Sequence, residues 1–268
     1  MKTRIFIHQN AIVLSLFALP LFSFAQKDLD LSFDGIKTVY MTPPKGDCEI
    51  RMSRNTQVKI ELSTGYNGDK VPVYSIAQSG DSLKVQQKDH PGSVSGSTPK
   101  WILWIPNKTD VFYKTGNGGI DGKNLTANLT LETGEGNINI SQSSGVFKIK
   151  TGRGDIAGTD ISLMGASEFN MAKGNCRISF HTSLQEDMTI SAGSGDITLD
   201  MKTWEMNAEL TLQLGKKSKA VMPFELGEGK TFNEKGNNER WTEKSISLGS
   251  ASHRILLRSG KGIIKLIK

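Results

Sequence analysis

Along the middle of the chain, apolar residues recur at every second position in short runs, stop at a glycine, and begin again. A period of two puts one side of each run on a buried face and predicts β-strand; no stretch keeps the 3.6-residue period of an amphipathic helix. The stops are themselves patterned. Aligned on T-G-x-G-x-I they read TGNGGI from Thr115, TGEGNI from Thr133, TGRGDI from Thr151, a degenerate KGNCRI from Lys173, AGSGDI from Ala192 and a last echo SGKGII from Ser259. Successive starts lie 18, 18, 22, 19 and 67 residues apart.

Units near 20 residues cannot bury their own apolar face, so the repeat predicts stacked rungs of a parallel coil. Three inward columns follow from the alignment: Leu129, Phe147, Phe169 and Met188; Leu131, Ile149, Met171 and Ile190; and Ile120, Ile138, Ile156, Ile178 and Ile197. Rungs about 4.8 Å apart would bring each column into contact. Glycine at the corners supplies positive φ and room for close backbone approach. The 67-residue step predicts one or two eroded rungs, one of them AELTLQLGKKSKAV (Ala208 to Val221). The fold class is all-β, a parallel β-helix or β-roll-like solenoid with glycine corners.

Residues 26–100 lack the motif and read as short strands, GIKTVYM, CEIRM, QVKIEL and SLKVQQ, broken at Pro43-Pro44, Gly68-Asp69 and Gly80-Asp81. They predict an N-terminal strand-rich cap continuous with a coil over 101–268, with a loop excursion near 227–241. Residues 1–25 have the layout of a signal peptide: Lys2 and Arg4, an apolar run from Ala11 to Phe22, and the small-residue site Ser23-Phe24-Ala25. That predicts an exported chain, in the periplasm or at the cell surface. The run is too short to span a bilayer, and nothing later approaches the roughly 20 apolar residues a spanning helix needs.

Removing the leader takes Lys2 and Arg4 with it, so the formal charge falls from +6 to +4. The remaining basic residues are scattered, which excludes a nucleic-acid patch. Cys48 alternates in phase with Ile50 and Met52, and Cys176 stands where sister repeats have glycine. Both read as buried free thiols, with a single disulfide as the alternative in an exported chain.

The stretch WILWIPNKTDVFYKTGNGGI, from Trp101 to Ile120, gives a strand ending in proline, a turn, a second strand and the first glycine corner. It resembles the bacterial putative-adhesin domains, relatives of the auto-transporter-adhesin-like head (GIN) domains, and TGRGDI and AGSGDI are similar to that family's G-D-I repeats. The resemblance runs from about Gly35 to Lys268. It implies a right-handed β-helix or β-roll-like fold in an exported envelope protein with no established catalytic activity.

Repeats-in-toxin coils bind calcium through G-G-x-G-x-D, but the sixth position here is Ile in every well-formed repeat, so no metal or cofactor is predicted. The fifth position carries Asn137, Asp155, Arg177 and Asp196. Asp155 and Asp196 would lie two rungs apart, near the spacing of an inverting glycosidase pair. Arg177 between them would lower both carboxyl pKa values, whereas a general acid needs one raised. His90, His181 and His253 lack metal spacing, and no nucleophile elbow or phosphate loop is present.

Aromatic residues remain. Strand phase turns Trp101, Leu103, Ile105, Val111 and Tyr113 inward and leaves Trp104 and Phe112 outward, as candidate ligand-binding residues unless the cap covers them. The expected function is that of a non-enzymatic exported envelope protein, an adhesin or interaction scaffold whose partner is an envelope component or a glycan. The alternative is a polysaccharide lyase or glycosidase on a β-helix. A monomer is expected, with the final strand as its less protected edge and Lys261, Lys265 and Lys268 as guards against association.

Overall fold

The computed structural model describes residues 5–6, 22–25, 28–63, 73–88, 98–184, 186–201, 207–233 and 240–267. Every regular element among them is a strand. The chain divides into two compact units, one ending at Gly134 and the other beginning at Glu135. In both, a repeat supplies two successive strands, a first arm before the motif's second glycine and a second arm after it. Like arms of neighbouring repeats pair in parallel.

In the unit from Glu135, the first arms are Phe147–Arg153, Ser167–Lys173 and Met188–Ser194. The second arms are Ile138–Ser141, Ile156–Leu163, Cys176–Phe180 and Ile197–Asp200. The long strand His253–Ile267 serves as both arms of the next rung, pairing Ala192 with Ser259 and Ile197 with Ile264. The 67-residue step is therefore one rung in space, because the eroded rung expected within it is stacked beyond His253–Ile267 rather than before it. Ala208–Val221, expected there, lies on the far side of His253–Ile267 and runs parallel to it, Leu210 beside Ile255. Arg240–Leu248 then adds antiparallel, followed by Lys230–Asn233, an edge strand inside the expected loop.

The degenerate repeat is displaced by two residues from its sequence alignment. Lys173 pairs with Arg153, Cys176 with Ile156 and Ile197, and Arg177 with Ala157. The motif position of TGRGDI is thus filled by MAKGNC, from Met171 to Cys176. In the columns Phe169 stands beside Ile149, and Ile178 lies between Gly158 and Leu199. Yet Phe169, Met171, Cys176 and Ile178 are all buried. A slip of two residues preserves the side of the strand, so the face was right while the register was wrong. Gly158 explains the exchange: a Cβ there would come 2.8 Å from the Ile178 Cδ1, so the isoleucine occupies the space that glycine leaves.

The unit ending at Gly134 contains a repeat that the motif search does not find. The rung Thr38–Thr42 plus Asp47–Met52 pairs on one side with Asp110–Asn117 and Ile120–Lys123, and on the other with Ser82–Lys88 and Lys100–Ile105. Its junction, PPKGDC from Pro43 to Cys48, takes the place of TGNGGI, with Gly46 at the level of Gly118 and Cys48 beside Ile120. Beyond that rung the pairing becomes antiparallel: Val73–Ser79 on Ser82–Lys88, Val58–Ser63 on Lys100–Ile105, and Asp28–Phe33 on Val58–Ser63. Within residues 1–25, Ile5–Phe6 runs beside Leu31–Ser32 and Phe22–Ala25 beside Val73–Ile76.

The junctions explain the motif. Gly154, Gly174 and Gly195 have φ of +142°, +140° and +135°, and a Cβ on any of them would collide with the carbonyl oxygen of the glycine one rung before. Backbone bonds continue through the turn: the Gly154 N–H donates to Lys173 O at 3.0 Å and the Ile156 N–H to Asn175 O at 2.9 Å. The amide between them has no backbone acceptor in that ladder, and a side chain supplies one. The N–H groups of Asp155, Asn175, Asp196 and Ile263 donate to the Oδ1 of Asn137, Asp155, Asn175 and Asp196 at 2.7–3.0 Å. The Gly119 N–H donates likewise to Asp47 Oδ1 at 2.8 Å. At the first motif position the buried Thr133 and Thr151 hydroxyls donate to the carbonyls of Gly118 and Gly136 at 2.9 and 3.0 Å.

Two outcomes follow. Asp155→Ala removes the acceptor for one amide and should cost about 1 kcal/mol, whereas Asp155→Asn should be close to neutral because Asn137 and Asn175 already do the same work. Gly154→Ala should cost more, about 2–4 kcal/mol, since it combines a positive φ with a clash. Urea unfolding of the three variants tests this order. The second outcome corrects the expected edge. Lys265 lies in a strand paired on both sides, beside Thr198 and Val221, and Lys268 lies outside the described residues. Among the described residues no strand covers the outer side of Lys217–Val221, where Lys217 and Lys219 are exposed. Lys217→Thr with Lys219→Thr should therefore promote association in sedimentation velocity, and Lys265→Thr should not.

Candidate functional site

Phe112 and Trp104 both point away from the core, on different arms: Phe112 on the first arm Asp110–Asn117, Trp104 on the second arm Lys100–Ile105. Their neighbours Trp101, Leu103, Ile105, Val111 and Tyr113 are buried. The two candidates do not form one site, and their surroundings differ.

Phe112 is 37% exposed and lies in register with Tyr40, itself 40% exposed. Their rings stack at 4.6 Å between centroids with 14° between planes. In-register aromatic pairs on a sheet add roughly 0.5–1.5 kcal/mol beyond area burial. Here they also leave a ridge of apolar edges on a polar face. Lys84 follows Tyr40 in the next strand, and two residues along from Phe112 Lys114 pairs with Glu132 at 3.1 Å. Tyr40 was not among the sequence candidates. The signal for it was present in TVYM, where Val39 and Met41 are buried and alternation turns Tyr40 outward. What the sequence does not reveal is its neighbour, because the register depends on the unrecognised PPKGDC junction.

Trp104 is half-buried. The Arg51 guanidinium lies 5.0 Å from its ring centre, and the adjacent strand sets Lys59 beside it. Arg51 also bonds Glu49 at 2.6 Å, and that hydrogen bond holds the Glu49 carboxyl below its ordinary range. Lys59 bonds Glu61 at 2.7 Å and lies 3.2 Å from Asp30; the Glu61 hydrogen bond is the largest cause of its raised pKa. One face of Trp104 is thus covered by Arg51, a cation that is already paired, so Trp104 offers less to a ligand than Phe112 does.

The carboxylates weighed as an acid–base pair occupy the backbone ladder. Asp155 and Asp196 each accept an amide of the next rung, and Asn175, not Arg177, stands between them. Arg177 lies on the second arm, 3.5 Å from Asp200. Their local chemistry is amide satisfaction. Cys48 and Cys176 are free and buried, in the same columns as Ile120 and Ile156, and burial pushes both thiols well up. Each behaves as a small apolar residue with little thiolate to react. His181 Nδ1 is 4.0 Å from Asp160 on the surface, His253 donates its backbone N–H to Asn207 O, and His90 lies outside the described residues.

Among the described residues no helix is long and apolar enough to cross a membrane. No curated protein matches the chain. Among solved structures it is similar to a putative adhesin from Bacteroides fragilis NCTC 9343, at 11% identity over 90% of this chain and 98% of that one, TM-score 0.48. It is also similar to a putative cell adhesion protein from Clostridium sporogenes ATCC 15579, at 14% identity over 90% and 98%, TM-score 0.36. Residues 36–216, more than half of the chain, match the model of one family. The chain belongs to the Toastrack DUF4097 family.

Proposed function

We propose that this protein is an exported, non-enzymatic component of the cell envelope, an adhesin or interaction scaffold whose outer sheet face engages a glycan. The observation that carries the reading is the Tyr40–Phe112 pair, two large rings left exposed in register on a face whose other outward positions are polar. Ring edges flanked by Lys84 and Lys114 give a sugar both an apolar contact and hydrogen-bond donors. The leader pattern of residues 1–25 supports export, and the parallel stacking of like arms, which we take to coil right-handedly, supports a continuous binding face. The commitment of Asp155 and Asp196 to backbone amides supports binding over hydrolysis.

Two experiments test this. Tyr40→Ser with Phe112→Ser should abolish binding of the purified protein to an array of bacterial surface glycans while its melting temperature falls by only a few degrees; equal binding by wild type and variant would overturn the reading. Amino-terminal sequencing of the protein recovered from its native host should begin at Gln26. A chain still starting at Met1 and confined to the cytoplasm would refute export.

A further inference from the structure

We infer a second binding site, for a carboxylate-bearing oligosaccharide, in the unit that begins at Glu135. This proposal is independent of the aromatic pair. A cleft of about 710 Å³ opens where Ala208–Val221, Arg240–Leu248 and His253–Ile267 meet. Lys216, Lys217, Arg240 and Lys261 line it together with Leu214 and Thr242, and among the described residues no Asp or Glu does.

The arrangement is built by a bulge. Leu214 pairs with Ser259 and Lys217 with Lys261, so two residues, Gly215 and Lys216, face the single residue Gly260. A bulge bends its strand and re-aims the side chains beside it. Here the bend brings consecutive lysines to the rim, and Ser218 fixes it by donating to Ser259 O at 2.7 Å. Opposite, buried Trp241 lies 4.2 Å beneath the Arg258 guanidinium and anchors the strand that presents Arg240 and Thr242.

Charge selects the ligand. At an inner junction the cation is answered, Arg153 bonding Glu135 at 2.7 Å. At this last junction none of the four cations has an ion-pair partner among the described residues. Glu239, adjacent to Arg240 in sequence, lies outside the described residues, and Glu243 is engaged by Gln213 at 3.0 Å. Four like charges around one concavity repel one another and attract an anion. The Arg240 fork suits a carboxylate, the lysines add point charges, and Leu214 with the glycine backbone offers an apolar floor for a ring. The volume lies within the roughly 300–1,000 Å³ of small-molecule clefts, which suits a short saccharide better than a nucleic-acid strand or a membrane surface.

Calorimetric titration of the full chain with tri-galacturonate at low ionic strength tests this, beside neutral trigalactose, inorganic phosphate, a single-stranded DNA oligomer and anionic vesicles. The trisaccharide acid should bind, weaken as salt rises, and outcompete every other probe, with no signal from the neutral sugar. Arg240→Gln with Lys261→Gln should weaken it about tenfold, several-fold for each exposed charge pairing lost. Arg240→Lys with Lys261→Arg, which keeps the charge, should retain most of the binding, and Lys114→Gln in the other unit all of it. Absence of binding, equal loss with Lys114→Gln, or binding of phosphate, DNA or vesicles as tight as that of the acid would overturn the proposal.

Discussion

The structure depends on one steric requirement: at each junction between arms, the backbone of one repeat must pass directly over a carbonyl of the repeat before it. Gly154 above Gly136, and Gly195 above Gly174, have no room for a Cβ. Once the chains are this close, the other motif positions are constrained. The carbonyl that excludes a side chain also accepts a buried threonine hydroxyl, as Gly136 does from Thr151. The amide left over at the turn requires an acceptor, which an Asn or Asp of the preceding rung provides. Buried or half-buried amides are rarely left unmet, so the motif is a hydrogen-bonding solution to a tight turn and carries no catalytic message.

A stack of parallel rungs has open ends, and both units end in antiparallel strands. In one, Val58–Ser63 and Asp28–Phe33 complete the pairing; in the other, Arg240–Leu248 and Lys230–Asn233 do. In each unit a rung near the chain terminus is inserted between two later or earlier ones. Thr38–Met52 lies between the rungs of 82–105 and 110–123, and His253–Ile267 lies between 188–200 and 208–221. Insertion gives those segments neighbours on both sides, so loss of one must expose two strand edges rather than one. The exposed edge passes instead to Lys217–Val221, whose lysines are suited to it.

The same economy shapes the surface. Outward positions on the arms are mostly small or charged, and neighbouring charges compensate each other, as in Arg153 with Glu135 and Lys114 with Glu132. Against that background, and beside single exposed apolar residues such as Val221 and Ile263, two groups of side chains differ. Tyr40 and Phe112 remain apolar where the sheet faces solvent, and the bulge at Gly215 gathers cations with no acid between them. The aromatic pair lies along the arms, and the cation cleft forms where the last junction bulges. A family built on repeated turns can vary such positions without disturbing its core.

Parity was legible in the sequence, and register was not. Alternation assigned Phe169, Met171 and Ile178 to the buried side, Phe112 to the surface and Trp104 to the outer face, because the side to which a strand residue points depends only on its own odd or even place. Aligning KGNCRI placed Arg177 at the turn, where Asn175 belongs, since a slip of two leaves every local pattern intact. The PPKGDC junction was hidden because proline and cysteine replaced the residues that made the repeat visible. Which strand lies beside which, and therefore Tyr40 beside Phe112, Lys217 beside Lys261 and His253–Ile267 inside its sheet, was decided by tertiary structure alone. Parallel pairing joins segments through long connections and leaves no local trace of the partner, whereas the glycine turn and the two-residue period are written into each short stretch on its own.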